Sequence, residues 1–355
     1  MLYHIILRSH QRWRFQYQEK GLFMYGFINS LPKAELHVHL EGTLEPELIF
    51  ELASKNNINI EYKTPEEVVA AYDFFDLPSF LKIYYAAMDV LRTEDDFYQL
   101  TYQYFEKAAA QNVVYVEPFF DPQAHTSRGI SFDTVIKGIH RAQLDAETNL
   151  GVTSNLIMCF LRDMSAESAQ EHLTMATPYC EWLIGVGLDS DEKDNPPSKF
   201  ATVFENARAM GLQLTMHCDV NQKDIVEHIH ECLHLIEVDR IDHGINALED
   251  KDLCKEIAKR GIGLTVCPVS NRFVVQSLTG DEIRQMLDIG MKATINSDDP
   301  AYFRAYMNEN LHALVDDAGF NKAEITQLVR NSFEVSWLPE AKKAEYLAQL
   351  DQLVQ

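Results

Sequence analysis

The sequence predicts an α/β protein built on a parallel sheet of eight strands wrapped by helices. Three observations carry that expectation. Strand-like and helix-like stretches alternate along the chain, the pattern of a parallel sheet with crossover helices. Eight apolar stretches read as strands, at about 35–40, 113–119, 153–160, 183–188, 212–217, 239–243, 262–267 and 292–296. Histidines and aspartates fall at the ends of several of them. Most are rich in Val, Ile and Leu and lack clean period-two alternation, as expected of strands covered on both faces. Eight is the strand number of a (β/α)8 TIM barrel, whose chemistry sits at the C-terminal ends of the strands.

Residues 1–29 differ from the rest. They carry Arg8, Arg12, Arg14 and many aromatics, and Ile5-Ile6-Leu7 is too short for a signal-peptide core. The expectation is that translation starts at Met24, so that 1–29 is an N-terminal extension and 30–355 a single barrel domain; an ordered extension is the alternative. After the first strand, residues 44–110 form a helical insertion. Its stretch Phe74-Phe75-Asp76-Leu77-Pro78-Ser79-Phe80 is unusually aromatic, and Leu81 to Val90 reads as a helix. This insertion is either a lid over the barrel mouth or a packing helix pair. Phe74, Phe75 and Phe80 either stack on a planar ring or pack in a core. No repeat or low-complexity linker divides the chain.

The chain has 355 residues, 46% of them hydrophobic, and a formal charge of -23. That charge argues against nucleic acid as a partner, and no run reaches the ~18 apolar residues that span a membrane. The six cysteines at 159, 180, 218, 232, 254 and 267 form no C-x-x-C pair; they read as reduced thiols of a cytoplasmic protein. A homo-oligomer is left open.

In a strand, residues i and i+2 point to one side, so His37 and His39 can converge on one ion. His217 closes the fifth stretch, His243 the sixth, and Asp298-Asp299 the eighth. Imidazoles plus a carboxylate, with one position open to water, make a hydrolytic metal site. His37, His39, His217 and Asp298 supply ligands, and His243 is placed to act as base on the water. An isolated H-x-H is weak evidence; four such signals at four strand ends are not. The ion expected is one Zn2+ per subunit, with Fe2+ or Mn2+ open, because His/carboxylate sites accept several metals.

The stretches Leu31-Pro32-Lys33-Ala34-Glu35-Leu36-His37-Val38-His39-Leu40-Glu41-Gly42, Arg240-Ile241-Asp242-His243-Gly244, Cys267-Pro268 and Asn296-Ser297-Asp298-Asp299-Pro300 resemble the adenosine/adenine deaminase family of the amidohydrolase superfamily. Gly187-Leu188-Asp189-Ser190, Pro196-Pro197-Ser198-Lys199-Phe200, Asp121-Pro122-Gln123 and Ser270-Asn271 resemble its adenine-type branch, as does Glu41, where adenosine-type enzymes usually have Asp. The resemblance runs from about residue 30 to beyond 330. It implies a metal-dependent aminohydrolase removing the 6-amino group from adenine or an adenine-like purine. His37, His39, His217 and Asp298 would bind the metal, and His243 would orient and deprotonate the water. Asp299 would accept a hydrogen bond at the purine N7 side, the backbone near Ser190 would meet the N3 side, and Glu41 would belong to the substrate site. Adenosine, an N6-substituted purine or another aminated heterocycle are the alternative substrates.

One departure stands out. The family's fifth strand normally ends His-Ala-Gly-Glu, whose Glu protonates the ring at N1, whereas this chain reads His217-Cys218-Asp219-Val220-Asn221. Valine delivers no proton, and losing a general acid costs roughly 10²–10⁴-fold. Three explanations stand open. Asp219 or another acid serves instead, the substrate needs no proton there, or the protein is a low-activity binding relative.

Several motifs compete with this reading. His230-Glu231-Cys232-Leu233-His234 matches the H-E-x-x-H metalloprotease motif, but Ile225, Val226, Ile229, Leu233 and Ile236 form the apolar face of that helix and put both histidines at its edge or beyond. His125 is either a substrate contact or a solvated loop residue. His140 and His172 are expected at the surface, and Cys218 as a packed thiol. Asp189, Asp191 and Glu192 are expected to lend polarity to the substrate pocket through Ser190, a solvated turn being the alternative.

Overall fold

The computed structural model describes residues 23–72, 74 and 76–354. Ten strand segments carry the sheet: β1 (Lys33–Glu35), β2 (Val113–Val116), β3 (Phe119–Phe120), β4 (Thr153–Ser154), β5 (Leu156–Leu161), β6 (Leu183–Asp189), β7 (Gln213–Cys218), β8 (Arg240–His243), β9 (Gly263–Val266) and β10 (Lys292–Ile295). Their order is β1-β2-β4 in one ladder and β10-β9-β8-β7-β6-β5-β3 in the other, and every paired strand is parallel. The eight expected stretches are all present. The second is split in two by Pro118, which has no N–H to give to a ladder, and the third is split at Asn155 into β4 and β5.

The first strand is shorter than its sequence suggests because Leu36 N–H bonds to the Asn296 side-chain oxygen (2.8 Å) instead of a neighbouring backbone. Beyond it the chain still pairs on both sides. His39 N donates to Asp298 O (3.0 Å) and Asp298 N to His37 O (3.1 Å), while Leu40 N donates to Phe119 O (2.9 Å) and Phe119 N to Val38 O (2.8 Å). These bonds join the first strand's extension to the chain after β10 and to β3, which closes the parallel sheet into a barrel. Leu36, Val38 and Leu40, alternating with the two histidines, are fully buried in the main core.

The insertion folds as helices Pro46–Asn56, Pro65–Ala70, Leu77–Ala87 and Glu94–Ala110. The third starts four residues earlier than the expected Leu81, because Asp76 accepts from Ser79 N–H and closes a capping box. Phe74, Phe80 and Tyr84 pack with Met88, Tyr302 and Phe303 in a second apolar cluster over the barrel mouth. Arg8, Arg12 and Arg14 of the expected extension, and Phe75, lie outside the described residues, but 23–30 is helical and Ile28 is fully buried in the main core. The fold therefore takes in residues on the N-terminal side of the expected boundary at 29/30. Among the described residues no helix is long and apolar enough to cross a membrane, and no cysteine is in a disulfide.

Candidate metal centre and active-site cavity

Three strand ends and the closing segment bring the histidines together. His39 Nε2 lies 3.2 Å from His217 Nε2. Asp298 Oδ1 lies 3.2 Å from His37 Nε2 and 3.5 Å from His39 Nε2. Ligand atoms of His37, His39 and His217 fall within 4.8 Å of one another, as do those of His37, His243 and Asp298.

Each ring is pinned from outside through Nδ1. His37 Nδ1 meets Thr265 Oγ1 at 2.8 Å, His217 Nδ1 meets Leu188 O at 3.1 Å, and His39 Nδ1 faces Asp189 at 3.4 Å. Asp242, fully buried, accepts from Thr215 Oγ1 (2.7 Å) and Thr265 Oγ1 (2.9 Å) and sits behind both His37 and His217. Outer acceptors of this kind fix the tautomer that leaves Nε2 free to ligate. His37 Nε2 is buried with no hydrogen-bond partner among the described residues. The donor set, three imidazoles and one carboxylate, therefore fits a divalent metal ion.

The electrostatics agree. Burial, then the neighbouring histidines, hold His217 well below the ordinary imidazole range; burial also lowers His39 against the pull of Asp189 and Asp298. Burial alone would raise Asp298, but His37, His243 and His39 hold it far below the carboxylate range. His39 and His217 are thus biased toward neutral imidazoles and Asp298 toward a charged carboxylate. For His243 burial acts downward, and the hydrogen bond and charge of Asp219, then Asp298 and Asp242, raise it to about 9. Ser190, His243 and Asp298 all have left-handed backbones, with φ of 73°, 57° and 66°. Such conformations cost non-glycine residues about 1–3 kcal/mol and concentrate at functional sites.

A cavity with about 630 Å³ of open volume, its mouth included, lies over this cluster. Asp298, Asp299, His243, Asp219, Val220 and Ser190 are on its wall, and Leu77, Phe80, Leu81 and Tyr84 from the insertion roof it. Asp299 presses on Gly42 so closely that an added Cβ there would meet its Oδ1 at 2.0 Å. Burial, then the charges of Asp298 and Asp189, push Asp299 well above the carboxylate range; burial, then Asp189 and Glu41, do the same to Asp121. Asp189 rises to about 6, chiefly through burial.

Some expected residues sit elsewhere. Glu41 is 1% exposed and is not on the cavity wall; its Oε1 accepts from Asp121 N–H (3.0 Å) and from His125 Nε2 (2.8 Å). His125 is neither a solvated residue nor on the cavity wall. It is fully buried between Glu41 and Arg128, whose guanidinium donates to Nδ1. His172 is buried rather than at the surface, because Thr126 Oγ1 meets its Nε2 at 2.7 Å. His140, half-buried, stacks on Trp182 at 3.9 Å. Of the acidic turn, Asp189 reaches the cavity, while Glu192 turns inward, fully buried, to His228 Nδ1 (2.5 Å) and Asp219 N–H (2.9 Å), with Arg162 3.4 Å away. Cys218 packs fully buried against Cys232, Sγ to Sγ 3.7 Å. In the H-E-x-x-H stretch Ile225, Ile229, Leu233 and Ile236 are buried and Val226 half-buried. His230 and His234 point outward to Asp250 (3.3 Å) and Glu256 (3.0 Å).

Sequence reasoning passed over Asp242, Thr215 and Thr265 as a shared support, and Arg162, Glu192 and His228 as a buried network. A signal for the first existed: Thr215 and His217 are two apart on one strand, and Asp242 precedes His243. None exists for the second, since its members come from separate loops and helices.

A sequence profile described as adenosine deaminase matches residues 32–353. An uncharacterized deaminase of Schizosaccharomyces pombe is 52% identical, over 92% of this chain and 96% of its own. The adenine deaminase of Caulobacter vibrioides is 49% identical, over 92% and 94%. The crystal structure of adenine deaminase from Arthrobacter aurescens superimposes with a TM-score of 0.88 at 42% identity, covering 92% of this chain and 99% of that one. With this site at the mouth of this barrel, the chain belongs to the adenosine deaminase family.

Proposed function

We propose that the protein hydrolyses the 6-amino group from adenine or a closely related free purine, releasing ammonia, with one zinc ion per subunit held by His37, His39, His217 and Asp298. Iron(II) or manganese(II) would suit the same donors. The observation that carries the reading is the pinned trio of imidazoles facing Asp298 beneath a carboxylate-lined cavity. The likeness to adenine deaminases supports the choice of base, and the acidic chain and lack of a spanning helix among the described residues support a cytoplasmic, small-molecule role.

The metal, when bound, supplies Lewis-acid activation of water. The protein's groups do the rest. His243, on the cavity wall beside Asp298, takes the water's proton and returns one to the departing amine. Asp299, on the cavity wall, hydrogen-bonds the N7 edge of the purine. Ser190 presents its backbone to the opposite ring edge. The aromatic roof shields the reacting carbon from bulk solvent, leaving the activated water to attack it. Val220, on the cavity wall, holds no proton, and Asp219, 3.2 Å from His243, is the carboxylate paired with that imidazole to share its proton traffic.

Ammonia release by zinc-loaded protein across adenine, adenosine, N6-substituted purines, pterins and aminopyrimidines tests the reading. Adenine or its close analogues are expected to lead the panel. Inertness to every member, with zinc bound, would leave a binding relative in place of an enzyme.

A further inference from the structure

The roof of the cavity contains a hydroxyl with nothing to bond among the described residues. Tyr84, on the insertion helix Leu77–Ala87, is 3% exposed, and its ring lines the cavity. Phe80, Tyr85 and Tyr302 hold that ring at centroid distances of 5.2, 5.3 and 5.5 Å. Its hydroxyl has no hydrogen-bond partner among the described residues. The next tyrosine differs: Tyr85 donates to Ser190 Oγ at 2.9 Å. Leaving a buried hydroxyl unpaired costs about 1–3 kcal/mol, so such groups in native proteins call for an explanation. The Tyr72 and Tyr302 hydroxyls are also unpaired among the described residues, but neither is on the cavity wall. Asp299 Oδ1 and Asp121 Oδ1, both from cavity-lining residues, are unpaired as well. Burial, then the charges of Asp299, Asp121 and Glu41, raise the Tyr84 phenol well above its ordinary range, so it stays protonated and is able to donate.

We propose that Tyr84 is a substrate-contacting residue, its hydroxyl donating a hydrogen bond to a lone-pair nitrogen on the ring of the bound purine. The strand ends supply the chemistry, and the insertion supplies this contact. The assignment rests on the adenine-like reading above.

The test is calorimetric binding of hypoxanthine, the product expected from adenine, to zinc-loaded wild type and Tyr84→Phe, with the melting temperature of each unliganded protein. Deleting an unpaired buried hydroxyl is expected to leave the unliganded Tm unchanged or higher. Kd is expected to weaken by about 5- to 150-fold, the equivalent of 1–3 kcal/mol. KM for adenine should rise in step, with kcat moving less. Equal affinity in the two proteins overturns the contact. A lowered unliganded Tm overturns it too, by showing that the hydroxyl is bonded within the protein. Wild type that binds no purine overturns the adenine reading and this contact together, whereas a binding wild type with an unaffected variant overturns the contact alone.

Discussion

Asp219 Oδ1 lies 3.2 Å from His243 Nε2, inside the cavity and one residue before Val220. A carboxylate so placed does two things. It orients the imidazole, and it stabilises the imidazolium that forms when His243 accepts a proton. Its own backbone is anchored in turn, since Asp219 N–H bonds to the buried Glu192.

Asp219→Asn should expose this pairing through pH. Asp219 is the largest upward influence on His243, which stands at about 9. Without that charge the imidazole loses its proton at lower pH. If His243 must be neutral to act as base, the acidic limb of the kcat profile moves to lower pH while kcat at the plateau falls by about 10²-fold. A profile with an unmoved limb would show that His243 is not the group being titrated.

Val220→Glu places a carboxyl on the cavity wall beside Asp219. With Asp219 and His243 handling the protons, adenine turnover by the variant is expected to stay within about ten-fold of wild type. A gain of about 10²-fold or more, the size of a general-acid contribution, would mean that the native cavity is not built for plain adenine. Steady-state kinetics on a folded sample, checked by melting, decides between these outcomes.

Glu192→Gln removes charge from a fully buried pair while keeping shape. Arg162 and Glu192 are both 0% exposed, and Arg162 also donates to His217 O at 2.9 Å. Breaking one side of a buried pair costs about 3–5 kcal/mol, so the variant should melt several degrees lower. Because the same network holds the His217–Asp219 segment, kcat should fall as well. Thermal melts and zinc-saturated kinetics measured side by side would show whether both losses occur.

Lys33 sits in β1 with no carboxylate partner among the described residues, donating to Ile28 O (2.8 Å) and Leu31 O (2.7 Å). Burial pushes it down to about 7 from 10.5. Between those values the unfolded chain binds a proton that the folded one does not, so stability rises with pH across that window and the penalty is complete below it. A tenfold change in proton affinity corresponds to about 1.4 kcal/mol. Lys33→Met should therefore flatten the rise in unfolding free energy between about pH 7 and 10, measured by urea titration; an unchanged slope would count against a neutral lysine at that position.

His37→Ala should abolish stoichiometric zinc and activity together, and chelation of wild type should reproduce the loss of activity. The double variant His230→Ala, His234→Ala should retain the wild-type zinc content, because those rings face Asp250 and Glu256 at the surface. Metal analysis of the purified proteins distinguishes the two sites directly.

The chain order by itself determined the barrel and its chemistry. Alternating apolar strands and helices dictate a parallel sheet, and polar residues at strand ends converge because parallel strands all finish on one side. His37, His39, His217, His243 and Asp298 are legible for that reason. Tertiary structure decided what burial decides. It turned His125 from a loop histidine into a clamp on Glu41, and drew His172 inside. It linked Glu192 on one loop to His228 on a distant helix, and left the Tyr84 hydroxyl unpaired in the roof of a cavity. Such partnerships join residues far apart in sequence with no shared period, so only the closed packing of the barrel reveals them.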